Sequence, residues 1–430
     1  MASWRFSVGN LVSRAVAAPA EVSPALADSL LPLANLGSGY PDQEGGLQWR
    51  SDGTYAIDFD LNLLASSSDR ADAPSGWLDL LNLLSGTPGL PANPPDWGAY
   101  GGRATALRLY RPQVQEIDVM PGETLSLDVG IYRPSGAAGA SGVQVRVIDR
   151  STGKGWDTTY GTWLEDGLVA VQLATDTWED GAYQIDPDPA RTQRTTYLVI
   201  LEPIAATYDA TSYVYASANG AAGVPVLYAA VDTVALIGHD LPEDTTIALA
   251  PQPAGTSITL TPQQPSCYAV ALVPQLVRTW RLAFLLPAGV QPRPRMGEVW
   301  IGSVRTLLAG APAMPVGGEE SLPGTLTILT ADTRREVIPS DKTHTSAELA
   351  LQFQLGGDTE WRQLRDEVSR MTRAGADPLL LLPGEDWDGT GRVYHGRVED
   401  RLAWQVVTRT SEGSLRSVAL PFHESPFPSR

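Results

Sequence analysis

Gln115-Glu116-Ile117-Asp118-Val119-Met120-Pro121-Gly122-Glu123-Thr124-Leu125-Ser126-Leu127-Asp128-Val129-Gly130-Ile131-Tyr132 decides the fold class. Apolar and polar residues alternate on both sides of Pro121-Gly122. A strand sends successive side chains to opposite faces, so each half buries one face and wets the other. Pro121-Gly122 is the turn signal between them. The same texture spreads outward. Ala106–Tyr110, Val143–Asp149, Leu168–Ala174, Tyr197–Leu201 and Ser212–Ala216 alternate or carry β-branched residues, and Ser151-Thr152-Gly153 marks another turn. About seven short strands in ~110 residues form the pattern of a β-sandwich or jelly roll.

Further out, Tyr55-Ala56-Ile57-Asp58-Phe59-Asp60-Leu61 alternates in the same way. A second β-region has strands at Thr233–Ile237, Thr246–Leu249, Ser257–Leu260, Cys267–Leu272, Thr279–Leu285 and Glu298–Val304. Residues 66–104 are loop-rich, with an apolar helical stretch at Trp77–Leu84 that the following prolines break. Leu11–Ala18 reads as a short helix stopped by Pro19, inside an N-terminal arm. The C-terminal part holds the clearest helix, Thr359–Arg373. Trp361, Leu364, Val368 and Met371 fall on one of its faces, Asp358 precedes it as N-cap and Gly375 stops it. Strands at Leu326–Thr330, Glu348–Phe353, Leu379–Leu382, Arg392–Val398, Ala403–Thr410 and Leu415–Leu420 flank that helix as an α+β module. The expected class is mainly β: two β-sandwich or jelly-roll domains plus a C-terminal α+β module.

Composition narrows the function. The 430 residues exceed what one core supports. A net charge of −18 argues against contact with phosphate backbones, so no nucleic-acid partner is expected. The single Cys267 excludes an intrachain disulfide, which fits folding in a bacterial cytoplasm. No apolar run approaches ~20 residues, so no membrane span is expected, and Met1–Ala20 has no signal-peptide core.

Two groups of motifs resemble known families. Val231–Leu241, Trp280-Arg281-Leu282-Ala283-Phe284 and Met296–Gly302 resemble discoidin-like β-sandwiches of phage tail proteins; Asn35-Leu36, Leu47–Ser51 and Ile57–Leu61 resemble the opening strands of that module. Ala376–Pro383, Val393–Val398 and Leu420–Pro426, with the Trp361 and Leu364 helix, resemble the distal-tail-like tail-tip proteins of siphophages. The resemblance implies an N-terminal arm (1–27), a split discoidin-like sandwich (28–65 and 225–312) and an inserted carbohydrate-module-like jelly roll (66–224). A linker (313–324) and a tail-protein-like α+β module (325–430) complete it. It implies a structural piece of a phage tail tip or baseplate. Such a protein is made in the host cytoplasm and resides in the virion. It forms a homo-oligomer, joins other tail proteins and contacts host-surface glycan. The arm and the C-terminal strands would supply contacts between copies.

The chemistry-bearing residues form no catalytic pattern, so no enzyme activity, catalytic residue or metal ligand is expected. His239, His344, His395 and His423 are scattered, and no Gly-x-Ser-x-Gly or phosphate-binding loop is present. Asp58 with Asp60, and Asp186 with Asp188, are ordinary pairs in an acidic chain. Glu385-Asp386-Trp387-Asp388-Gly389 reads as a solvated turn, lacking the later bidentate Glu of a calcium loop. No cofactor is expected, although the other acidic loops leave room for a structural calcium ion. Trp156, Tyr160, Trp163 and Trp178 crowd together with carboxylates, the composition that sugar sites use, and they are the candidate glycan-binding residues. Packing in a sandwich core accounts for the same tryptophans. Two alternatives stand beside the tail-tip reading: a receptor-binding protein for host-surface carbohydrate, and a glycoside hydrolase with accessory modules.

Overall fold

The computed structural model describes residues 5–20, 30–48, 52–64, 77–80, 96–109, 111–136, 141–189, 191, 193–204, 214–217, 225–263, 266–287, 295–305, 313–320, 325–329, 335–339, 344–345, 347–356, 358–373, 375–382, 393–398, 403–410, 413–425 and 427–428. The protein is mainly β, built of several antiparallel sheets in sandwich-like arrangement with, among the elements whose bounds are described, one short α-helix. Two compact units divide it. Unit 1 takes Met1–Leu61 and Val231–Arg430, and unit 2 takes Asn62–Ala230.

Unit 2 follows from strict alternation. Val143, Val145 and Val147 of the strand Gly142–Asp149 lie opposite Pro203, Leu201 and Val199 of Thr195–Ile204, and all three valines are buried. The strand Leu125–Tyr132 buries Leu125, Leu127, Val129 and Ile131 and pairs with Glu179–Ile185. These strands head two sheets. The first runs Thr162–Leu164, Gly155–Asp157, Gly142–Asp149, Thr195–Ile204, Gln113–Val119, Leu78–Asp79, and the second includes Leu125–Tyr132, Val214–Ser217, Arg103–Leu109 and Asp96–Tyr100. A two-residue hairpin, Gly101-Gly102, joins the last two strands of the second sheet. Both glycines have positive φ (56° and 84°), which the right-handed twist of a tight hairpin favours. The two ends of the unit meet. Leu63 N–H donates to the Leu227 carbonyl at 2.7 Å, and Leu227 N–H donates to Asn62 Oδ1 at 3.0 Å.

Unit 1 is assembled from distant parts of the chain. Thr54–Asp60 pairs with Thr279–Leu285 in register from Thr54–Leu285 to Asp60–Thr279, and on its other edge with Val16–Pro19. Tyr55, Ile57 and Phe59 are buried, as the alternation requires. Thr233–Ile237 pairs with Glu298–Gly302, which is buried along its whole length. A larger sheet runs Val304–Arg305, Arg5–Val8, Leu379–Leu382, Tyr394–Val398, Gly413–Glu424, Ala347–Gly356, Ala313–Glu320.

Three expectations differ from this arrangement. Residues 5–19 are not an arm. Arg5–Val8 is bonded along one side to Leu379–Leu382 and, at Phe6 and Ser7, on the other side to Val304–Arg305, so it is an inner strand of its own chain's sheet. Leu11–Ala18 is not a helix but a 3-10 turn, Leu11–Arg14, followed by the strand Val16–Pro19; the edge of Thr54–Asp60 supplies inter-strand partners that outweigh a short, isolated helix. The linker region also carries structure, since Ala313–Glu320 is a strand on Ala347–Gly356. Backbone pairing there overrides a Gly- and Pro-containing composition. Within the Trp77–Leu84 stretch, Leu78–Asp79 is a strand on Gln113–Val114, and residues 81–84 lie outside the described residues, as do 385–389.

The helix spans Asp358–Met371. Leu364, Val368 and Met371 are buried, Leu364 completely. Gly375 follows it at φ 83°, its N–H donating to Thr372 Oγ1 at 3.0 Å. Leu364→Ala is expected to cost about 2–5 kcal/mol in urea unfolding, the usual range for a buried leucine. A change under about 0.5 kcal/mol, ordinary for a surface position, would show that this face is not core.

Candidate functional site

The four aromatic residues of unit 2 divide between separate places. Trp156 and Trp163 lie opposite each other on the hairpin Gly155–Asp157 and Thr162–Leu164. Their rings meet edge-on at 5.6 Å, and Trp163 tilts against Tyr197 at 4.9 Å. Each indole N–H is used: Trp156 donates to the Gln184 carbonyl at 2.9 Å, and Trp163 donates to the Asp186 carbonyl at 3.1 Å. These bonds tie one sheet to the end of the strand Glu179–Ile185 in the other. Trp156 is 4 % exposed, so its ring offers no face to a sugar. Burial and the neighbouring Asp149 push the Tyr197 hydroxyl far above its ordinary value.

Trp178 belongs to another group, which sequence reading did not assemble. It stacks on Tyr132 at 5.3 Å, Tyr132 on Tyr215 at 6.0 Å, and Tyr215 on Tyr100 at 3.8 Å. The Arg103 guanidinium lies 4.1 Å from the Trp178 ring centroid and pairs with Asp180 at 2.7 Å. The Trp178 indole donates to the Gly101 carbonyl at 2.9 Å. A Cβ at Gly101 would come within 2.8 Å of that indole nitrogen, so the hairpin can sit there only with glycine. Rings on neighbouring strands thus use their faces on one another. Nothing local in the sequence brings Tyr132, Tyr215, Tyr100 and Arg103 beside Trp178. Tyr160 alone of the four stands clear, 74 % exposed at the hairpin tip, where Asp157 Oδ1 accepts the Thr159 and Tyr160 N–H groups.

The titratable groups of unit 1 are spent on structure. Asp58 is gripped by Arg281 through Nε and Nη2 at 2.7 and 2.8 Å, and Asp60 by Arg278 at 2.8 and 2.5 Å. Such bidentate pairs leave little of either carboxylate for acid–base work. In unit 2 the Asp186 side chain accepts from Gln184 Nε2 at 2.8 Å. Glu298 is fully buried: Oε1 accepts from Asn10 Nδ2 at 2.8 Å and Oε2 from the Gly39 N–H at 3.0 Å. Burial pushes it up to about 8, against the opposing pull of Asn10, Gly39 and Arg397. His395 is buried against Trp300, ring centroids 5.8 Å apart, with no hydrogen-bond partner at either nitrogen among the described residues. Burial, with Arg397 adding to it, pushes His395 down to about 3, and burial pushes His239 down to about 4. Burial pushes the Cys267 thiol up to about 12, which makes it a poor nucleophile. Among the described residues no group of three His, Cys, Asp or Glu side chains could hold a metal ion, and no helix is long and apolar enough to cross a membrane.

No family model matches the chain. No curated protein matches it either. Among solved structures it is similar to the M60 catalytic domain with the CBM51-1 and CBM51-2 domains from Clostridium perfringens ZmpB, at 9 % identity and a TM-score of 0.21, over 89 % of this chain. The chain spans 43 % of that structure's length. A score that low leaves the sandwich architecture to stand on the strand pairing described above.

Two outcomes follow. Trp156→Ala is expected to lower the stability of unit 2 by about 3–5 kcal/mol, as for other buried tryptophans, whereas Tyr160→Ala should stay within about 0.5 kcal/mol. Equal effects in thermal unfolding would show that the two rings are not in such different surroundings. The second outcome concerns pH. His395 titrates near 3 in the folded chain and near 6.5 when unfolded, so its contribution is complete above about 6.5 and is lost as pH falls toward 3. His395→Leu should therefore flatten the fall in urea-unfolding stability between about pH 7 and about pH 4. Parallel curves for the two proteins would contradict this.

Proposed function

We propose that this chain is a non-catalytic structural component of a bacteriophage tail tip: a homo-oligomeric hub that joins other tail proteins and carries unit 2 as an inserted binding module. The tail assignment comes from the resemblance of the Ala376–Pro383, Val393–Val398 and Leu420–Pro426 motifs. The observation that carries the hub reading is the closure at Asn62–Leu63 and Leu227. A unit whose two ends are hydrogen-bonded to each other can be inserted into a scaffold without disturbing it. The carboxylates of the scaffold are tied up in pairs such as Asp58–Arg281, which supports a load-carrying body over an enzyme.

One observation favours a second reading, recognition of host-surface carbohydrate. Tyr160 is open to solvent at the tip of the hairpin that also carries half-buried Trp163, and an exposed ring is what stacks against pyranose C–H groups. A glycan array of the full chain against Tyr160→Ala tests it; retention of bound sugar by the variant removes Tyr160 from the reading.

The hub reading is tested by light scattering of the purified chain and by antibody labelling of phage particles. A defined multiple of the 45.9 kDa chain mass, and label at the tail end, are expected. A monomer at every concentration, or particles without label, would overturn it.

A further inference from the structure

The strand Ser266–Leu276 begins in the core and ends outside it. Ser266 and Cys267 are buried, and Ser266 Oγ donates to the Val393 carbonyl at 2.9 Å. Tyr268 packs, half-buried, against the cluster of Ile237, Trp300 and Leu380. Burial falls steadily along the strand toward Pro274: Tyr268–Ala271 are half-buried, Leu272 is 101 % exposed, Val273 is 70 % exposed and Pro274 is exposed as well. Neighbouring strand residues point to opposite faces, so exposure of both Leu272 and Val273 means that neither face is covered there. Among the described residues the strand is also terminal in its sheet, next to the strand ending at Ile237.

Its composition is the second observation. Residues 266–277, Ser-Cys-Tyr-Ala-Val-Ala-Leu-Val-Pro-Gln-Leu-Val, carry no charge in a chain of net charge −18. Proteins that stay monomeric usually guard an apolar edge strand with charged side chains, because its open N–H and C=O groups template further pairing. Here no charged side chain guards it. The charge also decides what can cover it. Two copies of a strongly acidic chain repel wherever their charged surfaces meet, and a neutral strand is where they can approach. An antiparallel strand pair is its own complement about a two-fold axis, so a single edge can serve both copies.

We propose that Ser266–Leu276 is a self-association strand, pairing antiparallel with the same strand of a second copy. This rests on the homo-oligomeric reading above and names the surface that performs it. Pro274 has no N–H and ends the ladder, which confines new pairing to Ala269–Val273. Leu272 and Val273 then lose their water. Gln275, just beyond, is held by Thr256, whose N–H donates to Oε1 at 2.9 Å and whose carbonyl accepts from Nε2 at 2.6 Å, so the end of the strand is anchored to its own chain.

The full chain carrying Leu272→Lys and Val273→Lys tests this by light scattering beside the wild type. Both side chains are exposed, so an unchanged unfolding midpoint is expected while the assembled mass falls by half. Raising the salt concentration should favour wild-type assembly, because screening weakens repulsion between acidic copies. If the wild type assembles and the variant assembles equally, the strand proposal falls and the hub reading stands. If the wild type is a monomer, both fall. Open-ended growth without a defined mass also overturns a closed two-fold pair. A second variant guards against misfolding of the first. Leu272→Cys, in a chain whose one native thiol is buried, should give a covalent dimer with a bifunctional thiol reagent of about 10 Å reach, enough to span the offset of roughly two to three residues between the two copies' Leu272 positions, whereas Val171→Cys in unit 2 should not. Equal cross-linking of both would overturn the proposal.

Discussion

Glu298 is completely buried, and both of its carboxyl oxygens accept hydrogen bonds from the first forty residues: one from the Asn10 side chain, one from the Gly39 backbone. The rest of unit 1 depends on this contact. Asn10 also donates to the Val299 carbonyl and accepts the N–H groups of Val12 and Ile301, so one amide uses its whole hydrogen-bonding capacity to hold the first segment against the strand Glu298–Gly302. Two residues further on, the Trp300 indole donates to Ser7 Oγ, which in turn donates to the Ser303 carbonyl. A buried polar network is favourable only when every member is satisfied. The network therefore specifies one position for the N-terminal strand, and a shifted register would strand a carboxyl group in the core.

From that position the larger sheet follows. Arg5–Val8 fills the place between Leu379–Leu382 and Val304–Arg305, so the start of the chain joins segments near its end. Unit 2 can be long because the scaffold closes without it. Its two connections are bonded to each other at Asn62–Leu63 and Leu227, and its core is made of its own alternating strands. The acidic residues of the scaffold are absorbed locally in the Asp58–Arg281 and Asp60–Arg278 pairs. Such half-exposed pairs contribute modestly to stability, and their main effect is to fix the register of Thr54–Asp60 against the segment that follows it in space.

Local order was legible in the sequence, and distant order was not. Strict alternation located Gly142–Asp149, Leu125–Tyr132 and Thr279–Leu285 within a residue or so, because period-two burial is a property of each segment alone. The apolar face of Asp358–Met371 was readable for the same reason. The N-terminal strands were not legible, since Arg5–Val8 and Val16–Pro19 are short and draw their structure from non-local partners, Arg5–Val8 from Val304–Arg305 and Leu379–Leu382 and Val16–Pro19 from Thr54–Asp60. Composition misled at Ala313–Glu320, where pairing with Ala347–Gly356 decides. At the aromatic site, closeness in sequence stood in for closeness in space. Trp156 and Trp163 meet because a hairpin joins them, but Trp178 packs with Tyr132 and Arg103, brought in by strand order.

The central claim is that residues 5–12 are an internal element of unit 1, held by Glu298. Deleting residues 1–12 and following amide hydrogen exchange in the full remaining chain tests it most directly. The account predicts that protection collapses along Leu379–Leu382 and Glu298–Gly302 while unit 2, whose ends close on themselves, keeps its protection. Undiminished protection of both strands in the truncated chain would contradict it.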